Sequence, residues 1–419
     1  MTGVHVTDLR DGLKVVSDSM DSVQTVSVGA WIGAGSRHEV PELHGVSHLL
    51  EHMVFKGTGR RSARDIAEEI EAVGGHINAY TSREHTAFYA KVLKEDVELA
   101  VDIIADLVQN AALDAEELER ERSVVIQEIN QASDTPDDIV FDYFQEAAYP
   151  NQGLGRAVLG TAQSVGDMPR DGVATYMRNS YSAPRTVIAA AGRIDHDRLT
   201  TLARQAFAGL PDIGAGPMQV ASYQGGEFRG ERDLEQVQVV IGFPGVPFDD
   251  KDFYAASVLS TLFGGGMSSR LFQEAREKRG LCYSIYSFLS CYSDSGLFAI
   301  HAGTGENDAA SLLEVICEET RQIMQSITGI EVARARAQLK ASILMSLEST
   351  SSRCEQAARQ VMVYGRPLTV AEVIARIETV DVDRTIATAR RLFAGPVTLA
   401  SLGPIAKVPH ISDVRVALA

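Results

Sequence analysis

Two histidines and a glutamate stand close together in the segment from His44 to Thr58, and their spacing suits metal chemistry. If this segment is helical, successive residues turn by roughly 100° about the axis, so His48 and His52 share one face. Glu51 falls between them. Two neutral imidazoles one turn apart can bind zinc, and a neighbouring carboxylate can act on the water in an open coordination position. The pattern is His-x-x-Glu-His, the reverse of the commoner His-Glu-x-x-His zinc helix.

The motif alone does not establish a metal site. A random chain with ten histidines would show the pattern about once in a hundred tries. A third ligand, either a carboxylate or another imidazole, must come from elsewhere in the chain. A structural zinc would more often use cysteines, so two histidines and an acid predict a catalytic centre with an open position.

Acidic side chains are concentrated on a helix predicted from Ala115 to about Ser133. Glu121 and Glu128 lie seven residues apart, which is two turns, so they share nearly the same face. Glu128 stands among valines and isoleucines, and a buried carboxylate needs a partner because an unpaired buried charge is unfavourable. A solvated helix face explains the remaining acids: Glu116, Glu117 and Glu119.

Composition narrows the class of protein. A chain of 419 residues is long enough for two or more domains. A net charge of −17 argues against a nucleic-acid partner and leaves room for basic substrates, although acidity for solubility explains it equally well. The four cysteines form no Cys-x-x-Cys pair, which indicates free thiols in a reducing compartment.

Membrane and targeting signals are missing from the sequence pattern. No apolar run reaches membrane-spanning length, and the N-terminus resembles neither a signal peptide nor a transit peptide. We therefore expect no membrane association and an intracellular protein or a mature form. The cytoplasm of a bacterium is the expected compartment, in preference to the mitochondrial matrix or the periplasm.

The elements around the histidine motif can be predicted from periodicity and capping residues. Ser62 with Asp65 forms the start of a capping box for a helix over 63–73, and Gly74-Gly75 supplies its end. The remaining predicted elements of this part are strands at 4–18 and 23–34, the histidine helix at about 43–55, a hairpin of 76–81 with 86–92, and a helix at about 95–110.

The chain is predicted to divide near residue 210. Helices at 139–149, 171–180 and 195–207 and a buried strand at Thr186–Gly192 precede a segment rich in proline and glycine. We assign 1–210 to an N-terminal metal-binding domain, 211–226 to a linker and 227–419 to a C-terminal domain.

The second half repeats the first in weakened form. Residues 237–243 match the strand at 26–32, and the predicted helix at 254–263 occupies the place of the histidine helix but has Leu259-Ser260-Thr261 instead of histidines. Two copies of one unit are the simplest account, with metal ligands in the first copy alone. The order of elements predicts an α+β fold of two homologous domains, each a mostly antiparallel sheet with helices packed on one face.

With these motifs the chain resembles the inverted zinc-helix peptidases of the pitrilysin and insulin-degrading family. The likeness is greatest to bacterial members that are similar to mitochondrial processing peptidase, and it covers almost the whole chain. The segments that carry it are His44 to Thr58, Glu121 and Glu128, Asn78-Ala-x-Thr81 with Glu84 and Tyr89, Phe263-Gly-Gly-Gly266-Met-Ser-Ser-Arg270-Leu-Phe, and Arg276-Glu-Lys-Arg-Gly-Leu-Cys-Tyr283.

The resemblance implies roles for individual residues. Zn²⁺ would be bound by His48, His52 and Glu128, and Glu51 would be the general base that acts on the zinc-bound water. Glu121 would orient the ligands from outside the coordination sphere. The implied shape is a half-clamshell, and two such chains would enclose a peptide chamber.

The resemblance also implies a substrate site. Asn78, Ala79 and Thr81 would lie on a strand that adds the peptide as a further strand, and the glycine-rich loop of Gly264, Gly265 and Gly266 would touch the substrate. Arg276 and Tyr283 would come from the second domain to donate to the oxyanion or the substrate backbone. From the residues alone, a plain edge strand, ordinary packing and a surface charge explain the same positions.

These observations predict a zinc metalloendopeptidase that hydrolyses peptides or unfolded, presequence-like and basic segments. One chain carries both the zinc motif and the Arg276/Tyr283 pair, which favours a homodimer over a heterodimer with a related subunit. The alternative is a non-catalytic core or scaffold subunit of the same fold, for which eroded zinc motifs are typical.

Overall fold

The structure is a computed structural model that describes residues 3–9, 12–216 and 218–419. The described residues form eleven strands and fifteen α-helices. The strands are β1 (Val4–Asp8), β2 (Lys14–Ser19), β3 (Thr25–Ile32), β4 (His76–Thr81), β5 (Thr86–Leu93), β6 (Thr186–Gly192), β7 (Gly226–Glu231), β8 (Val237–Pro244), β9 (Cys282–Cys291), β10 (Gly296–Thr304) and β11 (Thr398–Gly403). The helices are α1 (Val46–Val54), α2 (Ala63–Ala72), α3 (Val97–Asn110), α4 (Ala115–Ser133), α5 (Pro136–Ala148), α6 (Ala162–Gly166), α7 (Arg170–Ser180), α8 (His196–Ala206), α9 (Phe253–Gly264), α10 (Ala309–Ile323), α11 (Gly329–Ser346), α12 (Thr350–Tyr364), α13 (Val370–Glu378), α14 (Val382–Phe393) and α15 (Ile411–Leu418).

The two sheets share one topology. The first has the strand order β1-β2-β6-β3-β5-β4 and the second β7-β11-β8-β10-β9. Apart from the parallel pairs β2–β6 and β7–β11, all neighbours in both sheets are antiparallel. Apart from β1, each strand of the first sheet has a counterpart at the same place in the second. The predicted α+β fold of two homologous, mostly antiparallel halves is confirmed.

The chain divides into two compact units, and each unit contains one segment from the other half of the chain. The first unit comprises Met1–Asn130, Arg156–Gln219 and Leu344–Thr369, and the second comprises Gln131–Gly155, Val220–Ile343 and Val370–Ala419. The chain passes from one unit to the other between Gln219 and Val220, inside the segment predicted as linker. The boundaries predicted from sequence, 1–210 and 227–419, are continuous, so they assign Gln131–Gly155 and Leu344–Thr369 each to the wrong unit.

In the first unit both faces of the sheet are covered. Alternate residues of β3, such as Val28 and Ile32, pack with α1 and α3 in the main core, while Trp31 points to the opposite face. On that opposite face lies α12, whose contacts are small side chains: Cys354, Ala357, Ala358 and Val361. Helices therefore cover both faces of this sheet, whereas the sequence predicted helices on one face. The helix on the second face, α12, comes from the C-terminal half of the chain.

Polar contacts hold α12 to the first sheet. The Arg353 guanidinium forms a 2.9 Å ion pair with Asp18 at the end of β2. Inside the core, the hydroxyls of Ser27 and Thr350 lie 2.9 Å apart. Buried polar groups need such partners, so these contacts specify where the helix docks.

In the second unit, α5 covers one face of the sheet in the same way. Its residues Val140, Phe144 and Ala148 pack on apolar side chains of β8, β10 and β11. On the other face, α9 and α14 contribute aromatic side chains, and the Phe393 ring lies 4.8 Å from that of Phe243. From sequence, this segment is predicted as a helix at 139–149 and falls in the N-terminal domain, whereas the structure assigns it to the second unit.

Two other sequence predictions differ in detail. The segment at 4–18, predicted as a strand with a turn at Asp11-Gly12, is a hairpin of β1 and β2, in which Gly12 has a φ of 81° and Asp11 lies outside the described residues. The histidine helix begins at Val46 rather than near residue 43, because Gly45 has a left-handed φ of 93° that a helix does not continue through. In the described part of the chain, no helix is long and apolar enough to cross a membrane.

Candidate metal centre

Helix α1 presents its histidines on the side away from the core. Its N-terminus is held by Glu39, whose carboxylate accepts hydrogen bonds of 2.8 Å from the backbone amides of Gly45 and Ser47. A negative charge at this end also suits the helix dipole. The opposite face is fully buried and fixes the helix on the sheet: Val46, Leu49, Leu50, Met53 and Val54.

Glu128 of α4 meets the two histidines of α1. Its Oε2 lies 3.6 Å from His48 Nε2 and 3.5 Å from His52 Nε2. These separations are too long for good hydrogen bonds. Two ligand atoms on a tetrahedral zinc with bonds of 2.0–2.2 Å lie about 3.4 Å apart, so Glu128 Oε2 lies at about the ligand-to-ligand distance from both imidazoles.

The donor set also fits zinc by its chemistry. Among the described residues, His48, His52 and Glu128 form a group whose potential ligand atoms all lie within 4.8 Å of one another. Two imidazole nitrogens and one carboxylate oxygen are ligands that catalytic zinc sites use, with a further position left open. Such residues can therefore hold Zn²⁺.

His52 is oriented by a neighbouring ion pair, whereas His48 is not. The Nδ1 of His52 lies 3.0 Å from Glu121 Oε2, and the other oxygen of that carboxylate lies 2.7 Å from Lys56 Nζ. Within residues 3–9, 12–216 and 218–419, Nδ1 of His48 has no hydrogen-bond partner. Burial lowers the pKa of His48 to about 4, with the nearby His52 as a second cause. This imidazole is therefore neutral at physiological pH, as metal binding requires.

Glu51 lies on the same turn of α1 and is held by strand β4. The Thr81 hydroxyl donates a 2.6 Å hydrogen bond to Glu51 Oε2. Burial raises the pKa of Glu51, and the hydrogen bond from Thr81 opposes that rise. An oriented carboxylate whose pKa is moved towards neutrality suits a general base.

The predicted substrate strand β4 lies at the edge of the first sheet. It pairs with β5, with Asn78 opposite Tyr89, and no other strand of the described chain pairs with it. The Asn78 side chain accepts a 2.8 Å hydrogen bond from the amide of Ala79. An edge of this kind leaves main-chain groups free for an added strand.

The remaining predicted residues lie in the second unit. There the Arg276 guanidinium packs over the rings of Phe272, at 4.6 Å, and Tyr283, at 4.9 Å. Tyr283 is 77% exposed. The structure thus brings Arg276 and Tyr283 together as a pair within their own unit.

Packing explains two of the three glycines in the glycine-rich loop. A Cβ at Gly264 would lie 2.3 Å from the Ser287 amide nitrogen, and one at Gly265 would lie 2.6 Å from the Cα of Thr261. At Gly266 the nearest atom is 3.7 Å away. A role in substrate contact stays a prediction, and close packing already accounts for the first two positions.

Three contacts of the site do not follow from the sequence patterns. Those patterns assign no role to Lys56 or Glu39, and they predict Thr81 on the substrate strand without its bond to Glu51. Lys56 could have been identified by its position four residues after His52, because residues with this spacing lie on the same side of a helical segment. Glu39 offered no signal, because its partners are backbone amides.

The chain is similar to known proteins over most of its length. The family model described as "Insulinase (Peptidase family M16)" matches residues 14–162, and "Peptidase M16 inactive domain" matches residues 167–339. An uncharacterized zinc protease of Bacillus subtilis is 38% identical over 402 residues, which are 96% of this chain and 98% of that protein.

Solved structures share the fold over nearly the whole chain. A protease from Helicobacter pylori has a TM-score of 0.89 at 22% identity and covers 96% of this chain and 100% of its own. A chain of complex III2 from Candida albicans has a TM-score of 0.88 at 22% identity and covers 100% of both. The Bacillus subtilis relative is named a zinc protease, and zinc is the metal that the family uses. With its inverted His-x-x-Glu-His helix and 38% identity to a full-length relative, the chain belongs to the M16 (insulinase) family of zinc peptidases.

Proposed function

We propose that this protein is a zinc-dependent endopeptidase that hydrolyses peptides and unfolded or presequence-like segments. One observation carries the proposal: Glu128 Oε2 lies 3.6 Å from His48 Nε2 and 3.5 Å from His52 Nε2, and Thr81 holds the carboxylate of Glu51 on the same helix. A non-catalytic scaffold subunit would not require these side chains to be arranged in this way.

Each of three side chains near the metal site has its own role in catalysis. When bound, zinc supplies Lewis acidity, which polarises a peptide carbonyl and acidifies water at the site. Glu51 accepts the proton of the attacking water and returns it to the leaving amine. Thr81 keeps the Glu51 carboxylate in one orientation through its 2.6 Å hydrogen bond. Glu121 fixes the ring of His52 through Nδ1, at 3.0 Å.

The substrate is an extended peptide that adds to the free edge of β4. Main-chain hydrogen bonds with the strand that contains Asn78 and Ala79 give affinity with little demand on sequence. The net charge of −17 supports a preference for basic peptides. The roles expected of Arg276 and Tyr283 remain predictions that variants can test.

Assembly and compartment are also proposals. The presence of the zinc motif and the Arg276/Tyr283 pair in one chain supports a homodimer, with a heterodimer of related subunits as the alternative. All four cysteines are buried free thiols, which supports a reducing compartment such as the bacterial cytoplasm.

The test is a peptide-library digest of the wild type beside Glu51→Gln, with zinc content measured for both. We expect Glu51→Gln to keep its zinc and to lose cleavage. Glu116→Gln, the same change on a side chain that is 85% exposed, is the matched control and should cleave normally. Cleavage by Glu51→Gln at the wild-type rate would refute the proposal. A wild type without zinc, and without hydrolysis after zinc is added, would favour the scaffold alternative. Mass measurement in solution gives the subunit number.

A further inference from the structure

Lys56 reaches the metal centre through a single carboxylate. It lies two residues beyond the end of α1, and its Nζ is 2.7 Å from Glu121 Oε1. The other oxygen of the same carboxylate, Oε2, is 3.0 Å from His52 Nδ1. Lysine, glutamate and histidine thus form a continuous chain of polar contacts that ends at a ligand of the metal.

The middle member of this chain is buried. The Glu121 side chain is 6% exposed, and those of Lys56 and His52 are 31% and 20% exposed. A carboxylate so far from water requires compensating partners, because its desolvation is otherwise strongly unfavourable. Within the described ranges, each oxygen of Glu121 has one such partner.

The ion pair with Lys56 restricts the orientation of the Glu121 carboxylate. With Oε1 taken by the ammonium group, the carboxylate plane is fixed and Oε2 faces the imidazole. The Nδ1 of His52 then carries the hydrogen and donates it, which leaves the lone pair on Nε2, the atom that lies 3.5 Å from Glu128. Because Nδ1 of His48 has no such partner in the described chain, ligand orientation depends on the His52 side of the site.

We propose that Lys56 is a positioning residue that acts through Glu121 on His52 and sets the zinc affinity of the site. The proposal rests on the proposed function, since it takes His48, His52 and Glu128 to be the zinc ligands. The competing explanation is that Lys56 merely forms one of the ion pairs of the fold.

The chain offers a matched control for that explanation. Lys14 on β2 forms a 2.6 Å ion pair with Asp8, and its side chain is 34% exposed, close to the 31% of Lys56. Strand β2 lies towards the opposite end of the sheet from β4. Removing this lysine therefore deletes an ion pair with a more exposed carboxylate, 67% for Asp8 against 6% for Glu121, and without contact with the metal ligands.

The experiment measures the zinc dissociation constant by competition with a chromophoric chelator. We expect Lys56→Met to weaken zinc binding by about 10–100-fold, as is typical when an outer partner of a ligand is removed. Lys56→Arg should restore affinity to within about threefold, because it keeps a cationic donor. Lys14→Met should bind zinc as the wild type does. In a Glu121→Gln background, Lys56→Met should have no further effect, since its influence passes through that carboxylate.

Two results would overturn the proposal: wild-type zinc affinity in Lys56→Met, or an equal loss of affinity with and without Glu121. Thermal melting of the zinc-free proteins shows whether each variant is folded. If Lys56→Met does not fold, Lys56→Gln, which keeps a polar head without the charge, is measured with the same expected loss and the same refuting result. A wild type that binds no zinc would overturn this proposal and the proposed function together, whereas normal wild-type binding with an unaffected Lys56 variant would overturn this one alone.

Discussion

Glu39 provides a pH-dependent test of how the histidine helix is anchored. Its side chain is buried, with 5% of the residue exposed, and its carboxylate binds the amides of Gly45 and Ser47 at 2.8 Å. Burial raises its pKa from 4.5 to about 7, against the lowering effect of these hydrogen bonds. Replacement by Gln keeps the size and one acceptor of the side chain but removes the titration.

The sign of the pH dependence follows from the direction of the shift. Because the pKa of Glu39 is higher in the folded state than in the unfolded chain, the folded state binds the proton more tightly. The stability gained from this protonation is fully present below about pH 4.5 and is lost as the pH rises through about 7. At about 1.4 kcal/mol per pKa unit, the change expected between pH 5 and pH 8 is about 2–3 kcal/mol.

The assay is urea unfolding of the zinc-free protein followed by tryptophan fluorescence. Trp31 is the single tryptophan of the chain and is buried in the first unit, so its emission reports the unit that contains Glu39. We compare the free energy of unfolding of the wild type with that of Glu39→Gln at both pH values. The wild type should lose about 2–3 kcal/mol relative to the variant on going from pH 5 to pH 8.

The control is Glu42→Gln, which makes the same chemical change at an exposed carboxylate of the same segment. An exposed substitution of this kind should leave the free energy of unfolding nearly unchanged at both pH values. A difference between wild type and Glu39→Gln that is flat across the range, or that moves in favour of the wild type at higher pH, would refute the reasoning.

Three further predictions concern the site. Glu128→Gln removes the anionic ligand and should weaken zinc binding by more than the roughly 10–100-fold typical of an outer partner; chelator competition measures this, and unchanged affinity would contradict the assigned ligand set. Gly45→Ala places a Cβ 2.9 Å from the carbonyl oxygen of Leu159 at a φ of 93°, so the first unit should lose at least about 1 kcal/mol in the Trp31 assay. Tyr283→Phe should lower kcat about 100-fold with unchanged zinc content if its hydroxyl serves the reacting peptide, and a kcat within threefold of wild type would argue against that role.

Local patterns in the sequence were enough to predict the helix that bears the histidines. Its apolar residues recur with the helical period, and the same period places His48 and His52 on the other side. The capping box of Ser62 and Asp65 was equally predictable, and the structure shows it at the start of α2. In each case the determining residues lie within four positions of one another, so the chain geometry fixes their relation.

The duplication was also visible from sequence, because corresponding elements recur in the same order. Each strand from β2 to β6 has a counterpart in the second sheet. In contrast, the sequence did not predict that α5 packs in the second unit and α12 in the first. The contact face of α12 consists of small residues such as Cys354, Ala357 and Ala358, and small apolar residues pack on many sheets equally well. Its docking is specified by polar contacts such as Arg353 with Asp18, which are more than 300 residues apart.

What the sequence by itself determined was the chemistry available: two imidazoles one turn apart, a carboxylate between them and a set of acids on a later helix. The family resemblance implied roles for Glu128 and Glu121, but only the tertiary structure decided that these two acids lie against the histidines and that Lys56 and Thr81 hold the carboxylates in place. The physical reason is distance along the chain. Spacing of three or four residues is set by the helix itself, whereas contacts between α1 and α4 or β4 depend on how whole elements pack around a shared core.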